Sequence, residues 1–313
     1  MDITKSIIQG IMKELSFLGN DGVKIYYDKY ECSEAVGVIQ IIHGSIEHGK
    51  RYQHFAEFLQ ANGFTVYVAD LRGHGRSIGK KLNYLSDNGD GWNLFVEETR
   101  TLTDIIKKEN EHKKIFIFGH SMGSFVLRDY LSKYSELVDG AILSGTGSTS
   151  PIMSKILQLV IKLEIRKHGT EKYSEKLHKL IYGTLDKKAA KMGVSSFISR
   201  DEAVINKYND DPLCGETITI DYANEMAKGV LYIESKECFK GMNDIPLLVF
   251  SGEKDPVGGT NCNFVTKIFN KYKSAGVTDA TLKIYKSALH EMINETNKEE
   301  VYEDVLKWMT SKL

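Results

Sequence analysis

The stretch KIFIFGHSMGSFVLRDYL, residues 114–131, decides how the rest of the chain is read. Its first five residues form a short apolar, β-rich run of the kind that fills a strand buried on both faces. From Phe125 onward the pattern suits a helix. Between them stands Gly119-His120-Ser121-Met122-Gly123, so a strand must turn sharply into a helix at a serine. Such a turn strains the serine backbone, and only small neighbours keep the two segments from colliding. Glycines two residues before and two after meet that need. The serine also stands at a helix N-terminus, where free N–H groups favour developing negative charge. In isolation G-x-S-x-G is a weak pattern that an ordinary Gly-rich turn also satisfies. Its place between strand and helix makes Ser121 a candidate nucleophile.

Working outward, similar β-rich runs occupy residues 36–42, 64–69, 140–143, 246–250 and 281–285. Most are continuously apolar, as central parallel strands are. Residues 15–31 read as a leading antiparallel hairpin with Asn20-Asp21-Gly22 as its turn. Helical spacing joins Phe55, Phe58 and Leu59, then Leu102, Ile105 and Ile106, and finally Val301, Val305, Trp308 and Met309. The alternation predicts an α/β protein with a mostly parallel central sheet flanked by helices. Between about residues 148 and 243 the rhythm breaks. That stretch is dominated by helical patterns, including residues 151–165 and 221–232. It reads as a helical cap inserted between two late strands. The expected division is a first core part (1–147), the cap (148–243) and a second core part (244–313).

A serine hydroxyl is a poor nucleophile until a base takes its proton. In strand–turn–helix hydrolases the order along the chain is serine, then acid, then histidine. Of nine histidines only His290 follows the last expected strand, so it is the candidate base. The acid is sought in the turn after residues 246–250. There Asp255 is expected, with Glu253 as its competitor and Asp244 at the wrong end of the strand. The expected oxyanion donors are the backbone N–H groups of Met122 and Ser45, the second in the Gly-containing loop after residues 36–42. Arg72 and His74, in the loop after residues 64–69, have no catalytic role left to fill and read as structural. Glu47 and Arg51, four residues apart, are candidates for a polar wall facing a glycerol-like alcohol. A local ion pair steadying the loop is an equal alternative.

Composition bounds these readings. Apolar residues make up 42% and charged residues 27%, and the formal net charge is −1. Nucleic-acid binding would need a concentrated basic excess, so that class is excluded. The four cysteines, Cys32, Cys214, Cys238 and Cys262, form no C-x-x-C pair and show no metal-ligand spacing with histidine. Free thiols and no metal are therefore expected. The first fifteen residues lack the uncharged apolar core of a signal peptide, and no run approaches the length of a membrane span. A cytoplasmic location is the expectation.

Taken in order, HGSIEHGKRY (43–52), DLRGHGRS (70–77), GHSMG (119–123), SGEKDPVG (251–258) and ALHE (288–291) resemble the monoacylglycerol lipase and lysophospholipase-like branch of the α/β-hydrolases. The resemblance runs from about residue 20 to the C-terminus and is vague in the insertion. There, Ser199-Arg200-Asp201-Glu202 through Asp211-Pro212-Leu213-Cys214 is similar to the cap of bacterial lysophospholipase-like members. The resemblance implies hydrolysis of long-chain acyl esters, small molecules, without metal or organic cofactor. It also implies Ser121, Asp255 and His290 as a triad. Ile152, Ile156 and Val160, on an apolar helical stretch of the insertion, are expected to wall an acyl tunnel and to touch lipid surfaces in passing. A helix merely packed on the core is the plainer reading. A small-ester carboxylesterase, a peptide-like amidase and a non-catalytic binder of this fold remain as alternatives.

Overall fold

The computed structural model describes residues 11–313. The first ten residues of the N-terminal stretch weighed for a signal peptide lie outside them. A hairpin, β1 (Ile11–Leu18) and β2 (Lys24–Glu31), leads into β3 (Gly37–Ile42), α1 (Gln53–Ala61) and β4 (Phe64–Ala69). Then come α2 (Gly91–Glu109), β5 (Lys114–His120), α3 (Met122–Tyr134) and β6 (Gly140–Ser144). Five helices follow: α4 (Pro151–His168), α5 (Glu175–Ile181), α6 (Gly183–Lys191), α7 (Glu202–Asp210) and α8 (Ile220–Glu234). The chain closes with β7 (Leu247–Gly252), α9 (Asn263–Ser274), β8 (Ala280–Tyr285) and α10 (Lys298–Thr310). Among the described residues no helix is long and apolar enough to cross a membrane.

One eight-stranded sheet has the order β1-β2-β4-β3-β5-β6-β7-β8. The β1–β2 and β2–β4 pairs are antiparallel, and every pair from β4–β3 to β7–β8 is parallel. β3, β4, β6 and β7 are buried along their whole length, because helices cover both faces. Alternate residues of β5 separate the two layers. Ile115 and Ile117 pack toward Leu102 and Ile106 of α2 and Val126 and Leu127 of α3. Phe116 and Phe118 pack toward Phe55 and Leu59 of α1 and Val301, Val305 and Met309 of α10. The leading hairpin starts at least four residues earlier than residue 15, since Ile11 pairs with Glu31. β1 is a mostly exposed edge strand carrying Lys13 and Glu14. Its buried face is too short to give a clean period, so its start is hard to read. The turn stands as expected, with Gly22 at φ +84°. All four cysteines are free.

Arg72 is a structural tie, as expected. Its buried guanidinium grips the Asp21 carboxylate of the hairpin turn at 3.0 and 2.9 Å, Glu98 of α2, and the Leu85 carbonyl at 2.7 Å. Burial pushes the Glu98 carboxyl up to about 7 even with Arg72 beside it. Arg72→Leu leaves that acid buried and unpaired, so urea unfolding is expected to show a loss of about 3 kcal/mol. A loss within 1 kcal/mol, about what an exposed pair contributes, would show the bridge to be peripheral.

Candidate active site

The strand-to-helix turn holds Ser121 at φ 51°, ψ −118°, a region non-glycine residues rarely occupy. Gly123 lies so close to β3 that a Cβ there would stand 2.3 Å from the Ile42 carbonyl oxygen and 2.5 Å from that of His43. The serine is thereby raised at the carboxyl end of β5, where the loops after β3, β7 and β8 also converge.

Three expected residues meet there in a row. His290 Nε2 lies 2.8 Å from Ser121 Oγ, and His290 Nδ1 lies 3.0 Å from Asp255 Oδ2. A carboxylate can only accept, so Nδ1 carries the proton and Nε2 is left to accept from the serine hydroxyl. Asp255 also accepts from Ser251 Oγ at 3.0 Å and from the Val257 N–H at 2.8 Å. Burial pushes its carboxyl up, but the His290 charge and hydrogen bond outweigh this and hold it below the ordinary value. The competitor Glu253 is exposed and accepts from the Ser287 N–H at 2.9 Å, away from the imidazole. The imidazole sits between the rings of His120, at 4.7 Å, and Phe197, at 5.5 Å.

A cavity of about 220 Å³ opens on this row. Ser45 and Glu47 line it together with Tyr182, Asp186, Tyr208 and Phe197. Among the described residues, the backbone N–H groups of Ser45 and Met122 donate to no protein acceptor. Glu47 and Arg51 form a local ion pair, and of the two only Glu47 also lines the cavity. Glu47 accepts from the Gly44 N–H and from Tyr52 Oη at 2.8 Å. Arg51 lies outside the lining, paired with Glu47 and with both oxygens of Glu291 at 2.6 Å, its guanidinium 4.7 Å over the Tyr208 ring.

The expected acyl-wall residues are not brought to this cavity. Ile152 is 70% exposed, Ile156 is 50% exposed, and Val160 is half-buried against the core. α4 turns Ile161 inward instead. Ile156 does line a second, apolar cavity of about 330 Å³, together with Phe125, Met153, Leu157, Ile181 and Met226. Residues that the motifs did not point to are Tyr182 and Tyr222, both hydrogen-bonded to Ser45 Oγ, and Glu291. Only Glu291 was within a quoted motif. Elsewhere, His48, Asp211 and Cys214 bring a nitrogen, an oxygen and a sulfur within 4.8 Å of one another. His48 and Asp211 already satisfy each other at 2.8 Å.

A family model described as serine aminopeptidase, S33, matches residues 33–297. The chain belongs to this family of hydrolases. The monoacylglycerol lipase of Mycolicibacterium smegmatis is 30% identical, covering 98% of this chain and all of that protein. The monoglyceride lipase of Homo sapiens is 24% identical, covering 88% and 82%. Among solved structures, a thermostable carboxyl esterase from Bacillus coagulans in complex with glycerol superposes with TM-score 0.87 at 24% identity, covering 96% and 98%. A soluble variant of Saccharomyces cerevisiae monoglyceride lipase superposes with TM-score 0.72 at 19% identity, covering all of this chain and 98% of that one. The chain is thus an α/β-hydrolase of the monoacylglycerol-lipase-like kind. It is an ester hydrolase acting on small-molecule esters.

The close approach at Gly123 can be tested directly. Gly123→Ala is expected to lower stability by about 3 kcal/mol, the upper range for overpacking a closed site. Gly183→Ala, whose Cβ would meet its nearest neighbour at 3.9 Å, should leave the urea midpoint nearly unchanged. Equal midpoints for the two variants would contradict the steric account.

Proposed function

We propose that this chain hydrolyses carboxylic esters of acyl lipids through Ser121, His290 and Asp255, by way of an acyl-enzyme. The observation that carries this reading is the hydrogen-bonded row, with its serine raised on a strained turn at the N-terminus of α3. Ser121 Oγ attacks the ester carbonyl carbon while His290 Nε2 takes the proton. Asp255 keeps the imidazole in the needed tautomer and stabilises the imidazolium. The N–H groups of Ser45 and Met122 hold the oxyanion. His290 then passes the proton to the leaving alcohol. It next takes one from the water that cleaves the acyl-enzyme. Residues 148–243 act as a cap that shapes what enters between the core parts 1–147 and 244–313.

Two features support an acyl lipid. The apolar cavity includes Phe125, one helical turn beyond Ser121, and suits an acyl chain. The cavity on the row carries Glu47, Asp186 and Tyr208, which suit a hydroxylated alcohol. The similar proteins described as monoacylglycerol and monoglyceride lipases support the same substrate class. The outer face of α4, with Ile152, Met153, Leu159 and Leu163 exposed, supports transient contact with a lipid surface. To test the reading, kcat/KM is measured for monomeric monoacylglycerols from about four to about sixteen carbons. Specificity should rise with chain length, up to about 0.8 kcal/mol per methylene, until the cavity is full. Ser121→Ala should abolish turnover with every substrate. A flat profile would favour a small-ester carboxylesterase, and turnover by Ser121→Ala within tenfold of the parent would remove the nucleophile.

The acid limb of the pH profile gives a second test. Burial pushes the His290 pKa down. The Asp255 charge and hydrogen bond, then Glu291 and Glu47, outweigh it and set it above the ordinary 6.5. The neutral form is the active one, so kcat/KM should fall as pH drops through that raised value. Glu291→Gln removes one of the charges that favour the imidazolium, so the limb should move to lower pH. A limb that stays in place or moves up would contradict this electrostatic account.

A further inference from the structure

The loop after β3 is strained next to its proposed oxyanion donor. Ile46 sits at φ 49°, in the left-handed region that is a genuine outlier for a β-branched side chain. Such a conformation persists only where its surroundings over-determine it. Here the surroundings come from the insertion. The Ile46 carbonyl accepts from the Gly215 N–H at 2.9 Å and from Tyr208 Oη at 3.2 Å. One residue back, Ser45 Oγ is hydrogen-bonded to the hydroxyls of Tyr182, between α5 and α6, and Tyr222, on α8.

The direction of these bonds follows from what each atom can donate. Tyr222 Oη lies 3.0 Å from Met122 Sδ, and a thioether sulfur only accepts. Tyr222 therefore donates to Met122. Its oxygen then accepts from the Ser45 hydroxyl, and Ser45 Oγ in turn accepts from Tyr182. One directed chain runs Tyr182, Ser45, Tyr222, Met122. Its second and last members are the two residues whose N–H groups face the developing negative charge. The phenols are themselves held. Tyr222 is fully buried, with its ring 5.6 Å from that of His74, and the Tyr182 ring lies 5.0 Å from that of His178.

We propose that Tyr182 and Tyr222 are positioning residues through which the insertion sets the two oxyanion donors at their working separation. The inference rests on the reading of Ser45 and Met122 as those donors. Neither phenol has to touch substrate. The charge to be stabilised exists only after attack, so misplaced donors slow turnover and leave ester binding nearly intact.

The test uses steady-state kinetics on a soluble monoacylglycerol, with urea midpoints as folding controls. Tyr222→Phe should lower kcat about tenfold with KM within about twofold, as expected for donors displaced by a fraction of an ångström. Tyr182→Phe should lower kcat about threefold by the same route, because it holds Ser45 alone. In a Ser45→Ala background the Tyr182→Phe cost should vanish, since that phenol acts through the serine hydroxyl. An undiminished cost in that background would mean that Tyr182 meets the substrate directly, and the inference would fall. A Tyr222→Phe kcat within twofold of the parent would also overturn it. Should Tyr222→Phe fail to fold, the Tyr182 and Ser45 cycle still decides. Turnover that survives Ser121→Ala would instead remove the underlying reading, and the inference with it.

Discussion

How closely backbones can approach at the carboxyl ends of the central strands governs the rest of this molecule. β5 must end in a helix that starts almost against β3, and only glycine at position 123 leaves room for it. The same constraint recurs at the end of β7. A Cβ on Gly252 would stand 2.1 Å from the Leu289 carbonyl oxygen and 2.3 Å from that of Ala288. The segment bearing His290 therefore lies directly on the strand end that leads to Asp255. The strain at Ser121 is offset locally. Its N–H donates to Ser144 at 2.9 Å, and its carbonyl accepts from Ser124 and Phe125 at 2.9 and 3.2 Å. The row of side chains is thus a consequence of chain packing before it is a matter of charge.

Charge then separates two neighbouring imidazoles. His120 and His290 have ring centres 4.7 Å apart, and both are buried. His120 meets burial first and the His290 charge next, and its pKa is pushed down to about 3. It stays neutral and acts as packing. His290 faces Asp255, with Glu291 and Glu47 farther off, and its pKa is raised. Those outer acids could not stay buried and ionised alone. Arg51, clamped between them, makes that arrangement tolerable and is itself held charged. Divergent environments for adjacent titratable groups are how such sites divide their roles.

Much of this was legible from residue order. Parallel strands buried on both faces leave continuous apolar runs, so β3 to β7 could be placed within two residues. Both Glu253 and Asp255 lie beyond the end of β7, and only Asp255 faces His290, while Glu253 accepts from Ser287. What could not be read arises from contacts distant in sequence. Nothing near Tyr182 or Tyr222 marks them, since their partner Ser45 stands 137 and 177 residues away. α4 misled for a different reason. It is apolar nearly all round, so its spacing does not say which face is buried, and the outcome is Ile161 inside with Ile152 exposed. The pairing of Arg51 with Glu291 across 240 residues likewise had no local signal, although Glu47 four residues away gave half of it.

The insertion is usefully divided by what its parts hold. Its later half grips the loops after β3 and β8. His48 meets Asp211, the Ile46 carbonyl meets Tyr208 and Gly215, and Ser45 meets Tyr222. The N–H groups of His290 and Glu291 donate to Phe197 and Ile198 at 3.2 and 2.8 Å. α8 is further anchored to the core through Asp221, which accepts from the Leu85 and Ser86 N–H groups. Displacing the insertion as one body would break all of these at once and release the strained Ile46. α4 is tied differently. It rests on α8 through apolar contacts, with Ile161 as its fully buried anchor. Among the described residues, α4 lines the apolar cavity and makes no hydrogen bond to the loops that carry Ser45 and His290. Tyr182, between α5 and α6, touches Ser45 and lines the cavity on the row, while its neighbour Ile181 lines the apolar cavity, so the two cavities adjoin at that turn.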